Sequence, residues 1–235
     1  MQVRAGRLER GARTLWGSLD LDVQAAGLTA LWAPNGTGKT SLAMALAGLL
    51  PWSAGRVEGA LGWSGEGARR VCHSALAFQG PEDQLTGATV RQELEGDGRA
   101  RRPGWAEEAA RRLGLSAEVL DRPPLALSAG ERRRVALGAL ESLSPTFLVL
   151  DEPLSGLDGP GARGVSAWLA EQARTRGVWA FSCDVDAPEI PVGCWRALSR
   201  ESGLSPLQAG ARNLDSTYYF PWAYWFLSGP NAGAG

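Results

Sequence analysis

The 235 residues suffice for one large domain or for a core domain with an inserted subdomain, and 44% of them are apolar, so we expect a sizeable buried core. A formal net charge of −1 excludes a general attraction to nucleic acid or anionic lipid. Three cysteines without metal-ligand spacing, a polar and basic N-terminus and no long apolar run lead us to expect a cytoplasmic protein without a signal peptide or membrane span.

The first part of the chain has the pattern of an α/β core. Residues 19–23 alternate apolar and acidic side chains, which predicts a strand with one wet face, and 28–33 form a short apolar run typical of a buried strand. A glycine turn separates that run from helix formers at 41–51, a helix that we expect to end at its proline. Residues 53–63 predict a hairpin, and 71–78 predict another buried strand.

The second part of the chain first changes character and then returns to the α/β pattern. From about 82 to 128, short amphipathic pieces separated by Gly and Pro predict a helical subdomain inserted into the core. The sheet pattern then resumes with predicted helices at about 130–143 and 160–177 and predicted strands at 146–150 and 178–182. We therefore expect one mostly parallel α/β domain over 1–215, followed by a tail at 216–235.

Residues 33–40, APNGTGKT, match the phosphate-loop template GxxxxGK[ST] except that Ala33 replaces the first glycine. Gly36 and Gly38 let backbone N–H groups turn inward around an anion. Lys39, the chain's only lysine, can reach between β- and γ-phosphates, and Thr40 offers a hydroxyl to Mg²⁺. The alternative is a glycine turn that happens to contain a lysine, but the strand–turn–helix context favours nucleotide binding. The predicted nucleotide contacts are Asn35, Gly36, Thr37, Gly38, Lys39, Thr40 and Ser41.

Two carboxylates follow the apolar run that ends at residue 150. Asp151 can hold Mg²⁺ through water, and Glu152 can polarise an attacking water as a general base. An acidic pair at a strand end can also serve only as a helix cap. Beside a phosphate loop, the catalytic interpretation is favoured.

The segment 125–137, LALSAGERRRVAL, predicts a helix with Ser128 as its N-cap and with Gly130 open to an anion. Together with the phosphate loop, LDEP at 150–153 and LSGLD at 154–158, it resembles the ATPase subunits of ABC transporters. LSAGE is similar to that family's LSGGQ signature, with alanine and glutamate as departures. The resemblance covers about residues 1–200.

The segment FQGPEDQ at 78–84 resembles the Q-loop of the same family. Its PEDQ part is similar to the ATPases of energy-coupling-factor importers, which take up vitamins and metal ions. The resemblance implies a phosphate-loop NTPase of the ABC type, with an N-terminal antiparallel β subdomain and an inserted helical subdomain. It further implies a head-to-tail pair of chains with two ATP molecules between them.

In such a pair, the resemblance implies that each site takes Gln79, Asp151, Glu152 and its phosphate loop from one chain. The other chain would contribute in trans Ser128, Ala129, Gly130, Glu131 and Asp158. Mg²⁺ would contact Thr40, Gln79 and Asp151, and Gln79 would sense the nucleotide from a movable loop.

The resemblance also implies partners and a location. The partners would be a second ABC ATPase subunit, identical or different, a transmembrane coupling subunit and a substrate-binding membrane subunit, on the inner face of the cell membrane. One alternative is a degenerate nucleotide-binding partner with weak catalysis. A soluble ABC-type ATPase acting on nucleic acid or ribosomes is less favoured, because the sequence has no duplicated cassette and no basic bias; we expect no nucleic-acid partner.

Three departures from the family pattern bear on activity. Cys183 stands at the switch position where the family has a γ-phosphate-contacting histidine; a small apolar residue at a strand end is the favoured interpretation. The adenine-stacking aromatic is missing near residues 7–13, which leaves Trp16, Arg10 or Arg13 as candidates. The third departure is the altered signature. A heterodimer with one weakened composite site, or a slow homodimer, would account for these features.

Two further features are predicted from composition. The segment 216–229, STYYFPWAYWFLSG, is rich in aromatic residues and either covers the chain's own core or contacts a protein partner, with membrane contact as a weaker option. Arginine clusters at 69–70, 99–102 and 132–134 are predicted to be solvated surfaces.

Overall fold

A computed structural model describes residues 1–64, 71–96, 103–183, 195–199 and 203–206, and the structural statements below refer to these residues. The strands, in chain order, are β1 (Gln2–Arg10), β2 (Arg13–Asp22), β3 (Gly27–Trp32), β4 (Ala54–Glu58), β5 (Trp63–Ser64), β6 (Val71–Cys72), β7 (Ser74–Ala77), β8 (Phe147–Asp151), β9 (Gly177–Ser182), β10 (Trp195–Ser199) and β11 (Gly203–Pro206). The α-helices are α1 (Lys39–Leu46), α2 (Val90–Glu95), α3 (Trp105–Arg112), α4 (Ala129–Ala139) and α5 (Gly159–Gln172). The aromatic tail lies outside the described residues.

A six-stranded sheet in the order β11-β10-β3-β9-β8-β7 forms the centre of the fold. Strands β7, β8, β9, β3 and β10 run parallel, and β11 pairs antiparallel at the edge. Because parallel strands end at the same edge, the loops after β3, β7, β8 and β9 meet there. The predicted α/β class with a mostly parallel sheet is confirmed.

A second, antiparallel sheet in the order β2-β1-β4 packs beside α1. Its hairpin places Arg10 opposite Arg13 across a short turn in which Gly11 has φ 61°. The N-terminal antiparallel β subdomain expected from the family is therefore present. The hairpin predicted at 53–63 is wrong, because β4 pairs with β1 and β5 pairs with β6 instead.

The central sheet lies between two apolar clusters, and side chains that alternate along its strands contribute to one cluster or the other. On β8, Leu148 and Leu150 belong to the cluster on the helical side, whereas Phe147 and Val149 belong to the cluster beneath α1 and the antiparallel sheet. This period of two is the strand geometry that buries both sheet faces. The core therefore holds the loops at the sheet edge from both sides.

Several element boundaries differ from their predictions for local reasons. Helix α1 ends at Leu46 rather than near Pro51, because Gly48 adopts φ 76° and Leu49 N–H turns back to donate to Met44 O. The predicted strand 71–78 is divided into β6 and β7 at His73. The predicted helix 130–143 is α4 followed by a 3-10 turn, Leu140–Leu143, that ends at Ser144 with φ 48°. The helix predicted at 160–177 ends at Gln172.

The expected helical subdomain contains α2 and α3 and the 3-10 turns Ala117–Val119 and Pro124–Ala126. Its apolar residues pack with α4 and α5, the helices that flank β8. A buried polar contact also crosses this boundary. Glu141, 3% exposed, accepts a hydrogen bond from Trp168 Nε1 of α5, and Glu141 Oε2 lies 3.2 Å from Arg112 Nη2 of α3.

We expect Glu141→Ala to lower the free energy of unfolding by about 1–3 kcal/mol, because the change leaves the buried indole N–H of Trp168 without its acceptor and leaves Arg112 with only more exposed carboxylates. Urea denaturation measures this effect. The matched control is Glu171→Ala, which removes a more exposed partner 3.5 Å from Arg112 and should cost less than about 1 kcal/mol. Equal losses in the two variants would show that the buried contact does not join the subdomain to the core.

Candidate nucleotide-binding site

The phosphate loop joins β3 to α1 at the carboxyl edge of the central sheet. Gly36 and Gly38 have φ values of 77° and 102°, the left-handed region where a Cβ would be strained. Lys39 is buried, and its Nζ donates to Ala33 O at 2.7 Å and to Pro34 O at 3.2 Å. Ala33 therefore contributes a carbonyl rather than a side chain, which explains how it replaces the glycine of the template.

Asp151, the last residue of β8, lies against the start of α1. Its Oδ2 accepts a hydrogen bond of 2.6 Å from Thr40 Oγ1. Burial raises the pKa of the Asp151 carboxyl above its ordinary value, and the Thr40 hydrogen bond opposes that shift. A hydroxyl and a carboxylate in contact are oxygen ligands of the kind that Mg²⁺ prefers, so these two residues fit the ion.

Glu152 has φ 54°, a left-handed value that costs a non-glycine residue about 1–3 kcal/mol and that concentrates at functional sites. Its carboxylate accepts hydrogen bonds from Cys183 N–H at 2.7 Å and from Ser182 Oγ at 3.4 Å, and it lies 3.8 Å from Lys39 Nζ. The Glu152 N–H donates to Phe181 O at 2.9 Å. The end of β9 therefore fixes the position of the Glu152 carboxylate, the group predicted to act as a general base.

These groups surround one cavity of about 380 Å³. Its wall combines the phosphate loop and α1 with the ends of β7 and β8 and with the β1–β2 hairpin. The lining residues are Arg10, Arg13, Leu15, Asn35, Gly36, Gly38, Lys39, Thr40, Ser41, Gln79, Asp151 and Glu152. The structure thus brings together the residues predicted to act within one chain, except Thr37, whose hydroxyl donates to Pro34 O at 2.8 Å, and Cys183.

The residues expected to act in trans lie outside that cavity. Ser128 and Ala129 are exposed at the start of α4, followed by Gly130, and Asp158 caps α5 by accepting from Gly161 N–H at 2.8 Å. Ser128 forms the predicted N-cap together with Glu131. Glu131 Oε2 accepts from the Ser128 hydroxyl at 2.7 Å and from Ser128 N–H at 2.9 Å, and these bonds lower the pKa of the Glu131 carboxyl.

An ion pair between distant segments was not predicted from the sequence. Arg133 Nε of α4 lies 3.3 Å from Glu82 Oε2 in the turn that follows Gln79. A Cβ added at Gly156 would lie 3.7 Å from Arg133 Nη1, so the loop after β8 also approaches this guanidinium. No spacing pattern marks residues 51 positions apart as partners. The contact joins the Q-loop-like segment to the signature-like helix.

The prediction of a solvated arginine surface at 132–134 is wrong. Arg133 is 9% exposed. Arg132 Nη1 donates to Leu127 O at 2.8 Å, and Arg134 Nη1 donates to Gly114 O at 2.8 Å. These three arginines bind backbone carbonyls and a carboxylate of the same chain, so they hold neighbouring segments together rather than forming a solvated surface. The other two clusters, at 69–70 and 99–102, lie outside the described residues.

Trp16 is wrong as a base-stacking candidate. The side chain is 2% exposed, and its Nε1 would lie 3.2 Å from a Cβ added at Gly38, beneath the phosphate loop. A ring packed in that position has no free face for a base. The chain's histidine, His73, is hydrogen-bonded to Ser64 Oγ at 2.6 Å and does not line the cavity.

Cys183 follows the end of β9 beside Glu152. Partial burial and the Glu152 carboxylate raise the pKa of the Cys183 thiol, so the side chain is neutral near pH 7. The neutral thiol would not repel a phosphate, as a thiolate would. The position supplies a backbone N–H to Glu152 and lacks the strong side-chain donor of a histidine.

The fold and the cavity define a phosphate-loop nucleotide-binding protein. Residues 17–155 match the family model described as ABC transporter. A Streptomyces coelicolor protein with the provisional name ABC transporter ATP-binding protein is 37% identical over 203 residues, or 82% of this chain and 75% of that protein. The chain therefore belongs to the ABC transporter family as one of its ATP-binding ATPases, and the resemblance seen in the sequence is confirmed.

Other relatives include energy-coupling factor transporter ATP-binding proteins. One from Symbiobacterium thermophilum is 35% identical over 178 residues, covering 70% of this chain and 62% of its own length. Among solved structures, cbiO1 of Clostridium perfringens, part of the ABC transporter complex cbiONQ, has a TM-score of 0.65 at 21% identity, covering 84% of this chain and 83% of its own. The structural likeness supports the ABC-type fold.

None of the helices in the described ranges combines the length and the apolar character needed to cross a bilayer.

Proposed function

We propose that this chain binds and hydrolyses ATP to drive an importer that takes up a small solute, a vitamin or a metal ion, through membrane partners. The observation that carries the proposal is the meeting of Lys39, Thr40, Asp151 and Glu152 around one cavity. The importer type is supported by the PEDQ segment and by relatives named as energy-coupling factor ATPases. A soluble ABC ATPase without membrane partners has less support.

Within the site, Lys39 would exchange its two carbonyl acceptors for the β- and γ-phosphate oxygens, close to its present position. Backbone N–H groups of the loop would surround the same oxygens. Glu152, held by Cys183 N–H, would orient a water molecule and accept its proton. Thr40, Asp151 and Gln79 would hold Mg²⁺, which when bound would neutralise charge on the phosphates. Gln79 is exposed and lies in the loop after β7, as a mobile sensor requires.

A second ATPase subunit would complete each site. The residues proposed to act on a partner's nucleotide must lie outside the chain's own cavity. This holds for Ser128, Ala129, Gly130, Glu131 and Asp158. The membrane partners would be a transmembrane coupling subunit and a substrate-binding subunit, and the chain would sit on the inner face of the cell membrane. No nucleic-acid partner is proposed.

We expect a chain tagged at its N-terminus, extracted gently from native membranes, to carry polytopic membrane proteins and an ATPase partner with it. Mass spectrometry identifies them, and the ATPase activity of the preparation should depend on Glu152, falling by at least about 100-fold in Glu152→Gln. A chain that is recovered from the soluble fraction without membrane proteins would contradict the importer proposal. ATP hydrolysis retained in that fraction would favour a cytosolic machine.

The second candidate function is a nucleotide-binding partner with weak catalysis of its own. The neutral thiol of Cys183 beside the base favours it, because that side chain donates only weakly to a γ-phosphate. Both candidates share the same fold and the same nucleotide cavity. They differ in the rate at which this chain's own site turns over.

We expect Cys183→His to raise ATP turnover of the assembled complex by at least about tenfold if the site is catalytically weak, since an imidazole restores a donor to the transferring phosphate. Steady-state phosphate release measures the change. Cys183→Ala is the matched control, because it removes the thiol and adds no donor, and its rate should stay near that of the unmodified chain. A histidine variant that is no faster than the alanine variant would favour the importer ATPase with an already competent site.

We expect Glu131→Gln to lower the ATP concentration for half-maximal association with the partner ATPase by about fivefold, because it removes a carboxylate facing the partner's phosphates. The glutamine keeps the capping geometry with Ser128. Sedimentation across an ATP titration measures association. Glu118→Gln removes the same charge at an exposed site elsewhere and should change nothing; the two variants behaving alike would show that Glu131 does not face a nucleotide.

A further inference from the structure

Arg133 lies in the second turn of α4, between two loops that leave the carboxyl edge of the central sheet. One loop follows β7 and carries Gln79, which lines the nucleotide cavity; the other follows β8 and begins with Glu152, the predicted general base. Arg133 does not line the cavity itself. Any effect of this residue on a bound nucleotide must therefore pass through the two loops.

The contact with the first loop is an ion pair. Arg133 Nε lies 3.3 Å from Glu82 Oε2. Glu82 belongs to the 3-10 turn Pro81–Gln84, which begins two residues after Gln79. Gly80 turns the chain between them with φ 77°. Because so short a stretch of backbone joins the two residues, a fixed Glu82 restricts where Gln79 can lie.

The second loop packs against the same part of α4. Gly156 in this loop has φ 71°, and a Cβ added there would lie 3.7 Å from Arg133 Nη1. A Cβ added at Gly130, in the first turn of α4, would lie 3.6 Å from Leu157 Cδ2. Glu152, at the start of the loop, is held separately by its hydrogen bonds to β9. The loop after β8 therefore gives α4 a fixed support, and the ion pair adds the segment after β7 to it.

The burial of Arg133 makes the ion pair difficult to open. Its guanidinium is largely removed from water, and Glu82 is the only carboxylate that pairs with it among the described residues. Separation of the turn after Gln79 from α4 would leave this cation buried without its counter-charge, which is strongly unfavourable. The pair therefore keeps the turn and α4 together.

The contacts that would bind the phosphates do not depend on this ion pair. Lys39 Nζ donates to Ala33 O and Pro34 O. Thr40 Oγ1 donates to Asp151 Oδ2. None of these described contacts involves α4 or the loop after β7. Loss of the pair should therefore leave nucleotide affinity nearly unchanged and alter the placement of the loop after β7, on which turnover would depend.

We propose that Arg133 is a positioning residue of the nucleotide site: through Glu82 it holds the Gln79 segment at a fixed place relative to Glu152 and to the start of α4. Arg133 touches neither the nucleotide nor Mg²⁺, and it acts through Gln79 on the water that Glu152 would activate. This inference rests on the proposed hydrolysis of ATP at this site.

Steady-state phosphate release by the assembled complex, measured across an ATP titration, tests this role. Glu82→Gln and Arg133→Gln should each lower kcat about 5- to 30-fold and change KM for ATP less than about threefold, because a misplaced Gln79 segment impairs the reaction rather than binding. The double variant Glu82→Gln/Arg133→Gln should be no slower than the slower single variant, since both single changes break the same pair.

The matched control is Asp83→Asn, which removes the same charge from an exposed neighbour of Glu82 in the same turn. It should leave kcat and KM unchanged. Urea denaturation identifies the variants that fold. Glu82→Gln changes the more exposed partner of the pair, so it decides the outcome if Arg133→Gln does not fold.

Three results would overturn the inference: an unchanged kcat in Glu82→Gln, kcat losses that multiply in the double variant, or a loss that is confined to KM. The last of these would mean that the pair supports the binding site only as part of the fold. An unmodified complex that does not hydrolyse ATP would overturn the proposed function, and the inference with it.

Discussion

The arrangement of the site depends on one constraint, the fixing of Glu152 at the end of β8 in a left-handed conformation. The strain in this residue is supported by hydrogen bonds to β9, from its own N–H to Phe181 O and from Cys183 N–H to its carboxylate. Its neighbour Asp151 stays in the strand and reaches Thr40. Both consecutive carboxylates thereby line the same cavity, which a regular strand could not achieve because its successive side chains point to opposite faces.

Two ion pairs extend from the nucleotide cavity toward α4, and the second pair is more exposed to solvent than the first. Lys39 and Glu152 are buried, and so is Arg133, whereas its partner Glu82 is more accessible; the Arg133–Glu82 pair links the segment after Gln79 to α4. Since α4 begins at the signature-like residues, a displacement of the Gln79 loop would act directly on the start of α4, the surface that we propose faces a second ATPase subunit. The ion pair joins the 3-10 turn Pro81–Gln84 directly to α4, so the two segments are physically coupled at this point.

Sequence reasoning placed residues correctly where a local structure is encoded in consecutive residues, and the functional roles of those residues stay predictions. The phosphate loop, the acidic pair and the Ser128 cap each need a few neighbouring residue types, and the structure places them as those types require. It failed where partners are distant. Arg133 pairs with Glu82, 51 positions away in the sequence, and β4 pairs with β1 rather than with its sequence neighbour β5. Trp16 is buried in the apolar cluster that includes residues of α1. These outcomes depend on how layers stack, a property that no local pattern specifies.

The geometry also divides the departures from the family pattern between two different sites. Cys183 lies beside the chain's own Glu152, and its backbone N–H donates to that carboxylate, a bond that any residue type at this position could make. In the proposed ATP complex, the carboxylate would stay in place while the contact to the γ-phosphate would be weaker than a histidine would make. Ala129 and Glu131 are displayed away from this cavity and would face a partner's nucleotide. In a homodimer both composite sites would carry every departure. In a heterodimer, Cys183 would affect one composite site and the altered signature would affect the other. Pairing with a different subunit would therefore not confine all the departures to a single degenerate site.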